Sequence, residues 1–499
     1  MTTTGARAAT AALGAALALV LAGCGSQVAP ATVSQVTGTG ALAPGAAGPD
    51  DAGTGTGTDP TGVTGGGPID TGAGSAAGSG DVSSGGTTSS GTGSGPGGAS
   101  GGGAGGAAGE GGPPAADPGQ QGSCDGFANT TGVTDEAITL ANVSDISGPV
   151  PGVFQAAQDG ARAFAAYFNA TSDICGRAIE VMALDSRADS AANQVAYTKA
   201  CDEAFAAVGS MSVFDDGGAA TAQGCGLPDL HALSVSQQVF ECDTCFGTAA
   251  VTPDLQPLAV PQYLRTTYGA AADKVGVLYI NVGTVPLASK RLAEAWEKGG
   301  LGVDYVQAID VAEFNYAPYV QELKNRGIEL VTYVGPYQHT IRMQQAMQQQ
   351  GYRPKAFIQD QTIYDQTYVE EAGAAGEGTL VYTTTALLDD LRNKEVALYR
   401  SWLEQVRPGA VATIYGAYAW SATRLFVEQA NRLGGRLTRA SLVGALRKVS
   451  GWTGNGLHSP QQVGSKRSGD CMRFIQLDGG RWKQVSSGDY VCGDLVKVS

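Results

Sequence analysis

Charge and aromatic residues are scarce in this 499-residue chain, at 15% and 7%. Both are missing where the chain is richest in glycine. From Gly25 to Gly122 there is no lysine, no arginine and no aromatic residue, yet 33 of the 74 glycines fall there. A stretch of that composition has too little apolar surface to offset the entropy of ordering it, which excludes a packed core. Other absences exclude chemistry. Only three histidines are present, the scattered His231, His339 and His458, and there is no HExxH helix and no serine elbow between a strand and a helix. This argues against a hydrolase. No basic cluster stands out in a chain of net charge −15, so nucleic acid is not an expected partner. Glycine pairs in the low-complexity stretch lack a preceding strand and a following Gly-Lys-Ser/Thr, so they are not a phosphate loop.

The segment Gly25–Gly122 therefore reads as a tether of about 98 residues, with a root-mean-square reach of roughly 50 to 60 Å for a flexible chain. From Cys124 to Ser499 the composition becomes that of a globular protein, with 30 basic and 39 acidic residues. That length exceeds what one core usually holds and suggests two lobes. Eight cysteines lie in it: Cys124, Cys175, Cys201, Cys225, Cys242, Cys245, Cys471 and Cys492. An even number suits an oxidising compartment. Spacing favours Cys124–Cys175, Cys201–Cys225, Cys242–Cys245 and Cys471–Cys492 among the about 105 possible connectivities. Cys242-Asp243-Thr244-Cys245 is read as a structural loop, against a redox pair or half of a zinc site.

An apolar stretch from Ala8 to Val20 behind Arg7, too short to cross a bilayer, ends at Leu21-Ala22-Gly23-Cys24. It resembles a bacterial lipoprotein signal. The resemblance implies cleavage before Cys24 (signal peptide 1–23), lipidation of that thiol, and a protein held by lipid on the extracytoplasmic side of the cell membrane. Residues 24–123 would then be the lipidated cysteine and its tether. More than one acyl chain is needed for stable anchoring.

In the globular part, short β-rich runs alternate with helical ones. Strands are expected at Ile138–Val143, Ile179–Leu184, Phe205–Val208 and Ala232–Val235, with helices at Phe154–Phe168, Ala191–Glu203 and Gly218–Gln223. A second series starts after Pro261: strands Lys274–Ile280, Val303–Ala308 and Leu330–Val334, helices Leu287–Lys298, Tyr319–Arg326 and Thr340–Gln350. This alternation argues for two parallel, doubly wound sheets, with ligands at the carboxyl ends of strands.

Ile138 to Asp145 followed by Ile146-Ser147-Gly148-Pro149, then Ala166-Tyr167-Phe168-Asn169, Cys175-Gly176-Arg177, Lys274-Val275-Gly276-Val277-Leu278-Tyr279, Tyr319-Val320-Gln321-Glu322-Leu323-Lys324 and Tyr333-Val334-Gly335-Pro336-Tyr337 together resemble type I periplasmic solute-binding proteins of the leucine/isoleucine/valine-binding family. The resemblance covers Ile138 to Ser499. It implies an α/β protein of two doubly wound parallel-sheet lobes joined by a three-crossover hinge near Pro253–Arg265, Tyr382–Leu387 and Trp452–Gln462. Lobe 1 would be 124–260 plus 383–455, and lobe 2 would be 261–382 plus 456–499. The implied function is capture of a small polar solute, such as an amino acid or amide, and its delivery to an ABC importer. The permease and ATPase would be separate chains, no cofactor or catalysis is implied, the lipid anchor would be the one membrane contact, and the chain would be a monomer. The same architecture also suits a sensory receptor that presents its solute to a signalling protein.

Site residues follow from the resemblance. Ser147 and Phe154 match the first-lobe loop and aromatic wall. Ser212, Asp215 and Asp216 lie in the loop after the third strand, with the two aspartates where hydroxyl residues are expected. Facing the ligand they would repel a carboxylate and favour a cationic, amide or hydroxylated solute; alternatively they cap the next helix. Ser236 follows the fourth strand. In the second lobe Tyr337 matches a tyrosine that closes over the ligand, Thr284 sits where a tyrosine is common, and Asp360 or Gln361 falls where an acidic residue meets a ligand ammonium.

Overall fold

Apolar runs buried on both faces build the first sheet. In β1 (Ala137–Ser144), Ile138, Leu140, Ala141 and Val143 are all inaccessible to solvent, as an inner strand of a parallel sheet requires. It pairs in parallel with β2 (Ala178–Asp185) from Ala137↔Ala178 to Ser144↔Asp185. The strands β3 (Ala206–Val208), β4 (Asp229–Ser234) and β5 (Cys245–Ala250) complete a parallel sheet in the order β2-β1-β3-β4-β5. Helices α1 (Gln155–Thr171), α2 (Ser190–Glu203), α3 (Asp216–Cys225) and α4 (Gln237–Glu241) connect them. All five carboxyl ends therefore share one edge. β5 was not expected from sequence: Cys-Phe-Gly-Thr-Ala-Ala is wholly buried and carries no alternation to read.

The computed structural model describes residues 121–148, 151–282 and 285–499. The signal peptide, Cys24, the tether up to residue 120 and the candidate Thr284 lie outside the described residues. The Gly122 N–H donates to the Asn431 carbonyl at 2.8 Å, so the folded part begins before Cys124. Among the described residues no helix is long and apolar enough to cross a membrane.

A two-stranded ribbon, β6 (Leu255–Pro257) with the C-terminal Leu495–Lys497, opens the second half. After α5 (Ala259–Tyr268) come β7 (Val275–Ile280), α6 (Val285–Lys298), β8 (Val303–Ile309), α7 (Ala317–Asn325), β9 (Leu330–Val334), α8 (Tyr337–Gln349), β10 (Ala356–Gln359), α9 (Gln366–Ala372) and β11 (Leu380–Thr383). These five strands are parallel. At its far edge the sheet becomes mixed: β12 (Cys471–Leu477) adds antiparallel to β11, and β13 (Trp482–Gln484) adds antiparallel to β12. They form a hairpin whose turn is Gly479-Gly480, both at positive φ (62° and 71°), as a two-residue hairpin demands. The short β14 (Val491–Cys492) pairs with β12, and the C-terminal ribbon strand is β15.

Between the two visits to the second sheet the chain returns to the first. The helices α10 (Lys394–Val406), α11 (Ile414–Leu433) and α12 (Arg439–Leu446) were not delimited from sequence. Trp420 of α11 stacks on Tyr167 (5.8 Å between centroids) and meets Phe164 edge-on at 5.0 Å. Beneath them the buried Glu395 carboxylate takes two hydrogen bonds from Arg424 and one each from Trp420 Nε1 and Asn455 Nδ2, at 2.6–2.8 Å. The α1–α11 crossing is so close that a Cβ at Gly160 would stand 2.2 Å from the Gly416 carbonyl oxygen.

Two expected lobe boundaries move. Residues 255–260 go with the second sheet, because β6 pairs with β15 and Ala259 and Val260 are buried in its core. Residues 456–467 go with the first half: Ser421 Oγ and His458 Nε2 lie 2.7 Å apart, Gly464 N–H donates to the Val449 carbonyl, and Lys466 Nζ donates to the Phe240 carbonyl. The crossings are thus near 251–254, 383–386 and 468–470. The first and third are laced reciprocally, with Thr252 N–H donating to Ser468 Oγ at 2.7 Å and Ser468 N–H to Thr252 Oγ1 at 2.8 Å.

Four disulfides join Cys124–Cys175, Cys201–Cys225, Cys242–Cys245 and Cys471–Cys492. The second ties α2 to α3, and the fourth ties β12 to β14.

Replacing Gly160 by alanine is expected to cost about 1–3 kcal/mol, since the added methyl must push two helices apart; an unchanged urea midpoint would refute the tight crossing. His458 supplies a second test. Its burial holds the imidazole down to about 4 against an ordinary 6.5, with the Ser459 carbonyl accepting from Nδ1 pulling weakly the other way. The neutral ring's contribution is intact above pH 6.5 and is lost as pH falls from 6.5 toward 4, because the unfolded chain binds a proton that the folded one refuses. The loss amounts to about 1.4 kcal/mol per pH unit across that window. Melting temperature against pH should fall less steeply there for His458→Gln than for the wild type, and parallel curves would contradict the assignment.

Candidate ligand-binding site

The carboxyl edge of the first sheet is organised by a residue that sequence reading treated only as a strand end. Asp145, wholly buried, accepts from Ser186 Oγ (2.5 Å), Ala188 N–H (2.9 Å), Ser212 Oγ (2.9 Å) and Val213 N–H (2.9 Å). It thereby ties together the loops after β1, β2 and β3. Asp185, at the end of β2, does the same on the outer side, accepting from Ile146 N–H, Ser147 N–H, Ser147 Oγ and Arg187 N–H at 2.5–3.2 Å. Burial alone would raise the Asp185 pKa, yet these hydrogen bonds outweigh it and the net shift is downward. Between the two carboxylates, Arg187 and Ala188 are held at φ 56° and 51°, a conformation that costs non-glycine residues energy and persists only when its surroundings fix it.

The sequence candidates in this lobe take defined places. Ser147 is exposed at the edge, its hydroxyl committed to Asp185. Phe154 is buried and packs edge-on at 5.1 Å against Tyr415, which opens α11. Ser212 is buried and spent on Asp145. Asp215 is 2% exposed, and its Oδ2 accepts the Val235 N–H at 3.2 Å, so it stitches the loops after β3 and β4. Asp216 is half-buried in the first turn of α3, where an acid suits the helix dipole. Ser236 caps α4 through the Val239 N–H at 3.3 Å.

On the second sheet Tyr337 begins α8 directly after Pro336. It is half-buried and donates its hydroxyl to Glu371 Oε1 at 3.3 Å. Asp360, at the end of β10, caps the turn after it by accepting the Thr362 N–H at 2.8 Å. Gln361 turns toward the hinge, its Oε1 accepting from Tyr418 Oη (3.0 Å), Thr384 N–H (3.3 Å) and Thr383 Oγ1 (3.3 Å). Of that pair, Gln361 is the one committed to hydrogen bonds at the second crossing. Burial first, then the charges of Asp360 and Asp365, raise the Tyr415 hydroxyl above its ordinary range. Tyr415 and Asp365 are absent from the sequence candidates: the first packs on Phe154, and the second accepts the Thr367 N–H at 2.7 Å.

Asp229, His231 and Cys245 place their ligand atoms within 4.8 Å of one another in the first core. The donor set does not suit a metal, because the Cys245 sulfur is bonded to Cys242 and His231 Nε2 stands 2.7 Å from Asp229 Oδ2. It is a buried aspartate–histidine pair: burial lowers the imidazole pKa, but the neighbouring Asp229 carboxylate raises it by more.

Comparison with known proteins agrees with this architecture. The periplasmic binding protein family model matches residues 137–481. Among solved structures, a branched-chain amino acid ABC transporter protein from Thermus thermophilus with bound valine is 15% identical. It covers 72% of this chain and 97% of its own, at a TM-score of 0.60. A fatty acid ABC transporter substrate-binding protein from Thermomonospora curvata is 17% identical, over 73% and 95% of the two chains, also at 0.60. The branched-chain amino acid transporter substrate-binding protein of Streptococcus pneumoniae, in complex with isoleucine, is 16% identical, over 73% and 100%, at 0.58. No curated protein matches. With two sheets whose strand ends converge, three crossing segments between them and a family match over most of its folded length, the chain belongs to the periplasmic binding protein family, whose members bind solutes and are not enzymes.

Proposed function

We propose that this protein is a lipid-anchored, extracytoplasmic receptor that captures a small organic solute between its two lobes and delivers it to an ABC importer whose permease and ATPase are separate chains. One observation carries the reading. The carboxyl ends of two parallel sheets bring Phe154, Tyr415, Tyr337 and Asp360 to edges joined by only three crossing segments. In open α/β sheets ligands bind outside these strand ends, and few crossings permit hinge closure. The solved relatives include proteins with bound valine and isoleucine and one named for fatty acids, so the fold serves several chemistries and does not itself choose one. Cys24 would carry the anchor, and the tether would let the receptor reach its permease.

Capture predicts closure. Small-angle scattering of the soluble fragment, disulfides intact, should show contraction with the cognate solute from a panel of amino acids, amides, polyamines, polyols and aromatic acids. At about 100 times the dissociation constant the same solute should add about 2.7 kcal/mol to stability. Tyr337→Ala is expected to weaken that solute about tenfold without lowering the melting temperature of the free protein, as a tyrosine offers both an apolar face and a hydroxyl. Contraction by no compound, or an unaltered affinity in the variant, would count against the reading. Anchoring is checked separately: Cys24→Ser should move the protein from the membrane fraction to the soluble one.

A further inference from the structure

The loops at the first sheet's edge hold backbone N–H groups and hydroxyls of the kind that bind anions, but the chain's own carboxylates have taken them. After β1, Ile146 N–H, Ser147 N–H and Ser147 Oγ donate to Asp185. After β2, Arg187 N–H donates to Asp185 and Ala188 N–H to Asp145. After β3, Ser212 Oγ and Val213 N–H donate to Asp145, and after β4, Val235 N–H donates to Asp215. Among the described residues none of these three carboxylates has a lysine, arginine or histidine nitrogen within 4.0 Å. A ligand carboxylate entering here would lose its water, find these donors occupied and meet three like charges.

What these loops present outward is apolar. Val213, Phe214, Val235 and Val251, following β3, β4 and β5, are 43–55% exposed. On the second sheet Val282, Val311 and Phe314, following β7 and β8, are 47–74% exposed. Scattered exposed valines mean little, but seven large apolar residues gathered at strand ends mark a surface waiting for an apolar partner. On the second sheet's edge Asp360 and Asp365 stay half-buried, each accepting a backbone N–H, from Thr362 and Thr367, and both act on the Tyr415 hydroxyl, whose ring packs on Phe154.

We propose that the cleft selects a ligand with an apolar body and no carboxylate, a hydrophobic amine or its uncharged amide counterpart, rather than an amino acid or an organic acid. This rests on the solute-capture reading above and names the substrate class within it. The body lies against Val213, Phe214, Val235 and Val251, and an ammonium or amide N–H faces Asp360 and Asp365.

Matched series test it by calorimetry on the disulfide-intact mature chain. One series is 3-methylbutylamine, leucinamide, leucine and 4-methylpentanoate; the other is 2-phenylethylamine, phenylalaninamide, phenylalanine and 3-phenylpropanoate. In at least one series the amine and amide should bind ten or more times more tightly than the amino acid and acid. Equal or tighter binding by the carboxylate-bearing members, through the exposed Arg187 or otherwise, would overturn the proposal, as would silence from all eight compounds. Scattering separates this failure from that of the parent reading: contraction with a compound outside the series leaves solute capture standing, whereas no contraction with any compound removes both. Asp215→Ser, which frees the Val235 N–H, should narrow the gap between acid and amine at least threefold; an unchanged ratio would remove Asp215 from the selection.

Discussion

The structure depends most on a buried negative charge with no cation beside it. Asp145 follows a strand whose side chains are mostly buried, and its carboxylate would be costly to bury were it not saturated by two hydroxyls and two backbone N–H groups from the loops after β2 and β3. Those bonds do more than satisfy the charge. They reinforce the backbone bonds that already join these loops, Asp145 N–H to the Met211 carbonyl and Ser186 N–H to the Ser144 carbonyl, and with Asp185 they hold the left-handed pair Arg187-Ala188 in place. Gly148 is drawn into the same arrangement: at φ 110° its α-carbon lies so close to the Arg187 carbonyl oxygen that a Cβ would stand 2.3 Å away. The edge of the first lobe is therefore preorganised, so ordering these loops is not charged against ligand affinity.

How much of this is legible in the sequence depends on range. The strand and helix alternation is visible because each element is local, and the disulfide partners were favoured by spacing alone. Strands around Met472–Leu477 and Trp482–Val485 are legible as β-rich runs, but that the first of them lies antiparallel on β11 depends on where the chain re-enters the sheet from the distant segment 456–467. The place of segment 456–467 is not legible locally, because its partners, Ser421, Val449 and Phe240, come from other elements of the chain. In the site the same limit applies. The Asp215-Asp216 pair can be seen to be acidic, but whether Asp215 faces a ligand or the Val235 N–H is decided by a hydrogen bond across about twenty residues. Asp145 was hidden by its ordinariness, one aspartate after a strand. The usable signal was its position, a charge directly following a run buried on both faces, which must either be exposed by a turn or be the centre of a network.

Polar links between the halves cluster near the crossings, while the buried core of the first half continues into Tyr364, Tyr368 and Trp482 of the second. Thr252 and Ser468 exchange hydrogen bonds, Ser459 N–H donates to the Thr384 carbonyl, and Gln361 gathers Tyr418, Thr384 and Thr383. Hydroxyls and backbone groups close to the pivot can keep their partners through a rotation that changes distances little, whereas apolar surfaces at the rim gain contact only when the edges meet. Closure then draws its free energy from the rim, and a ligand shifts the equilibrium only by what it contributes there in the closed state beyond the open one.

This division also accounts for where the two halves differ. The first lobe's edge is locked by internal carboxylates and offers mainly side-chain surface. The second lobe's edge keeps Asp360, Asp365 and the Tyr337–Glu371 pair half-buried or exposed, with no basic side chain within 4.0 Å among the described residues. Uncompensated charge of one sign in a narrowing cleft is weakly opposed while water fills it and strongly opposed as water leaves. In the proposed capture cycle, then, a bound group that neutralises or displaces that charge would ease the approach of the two edges.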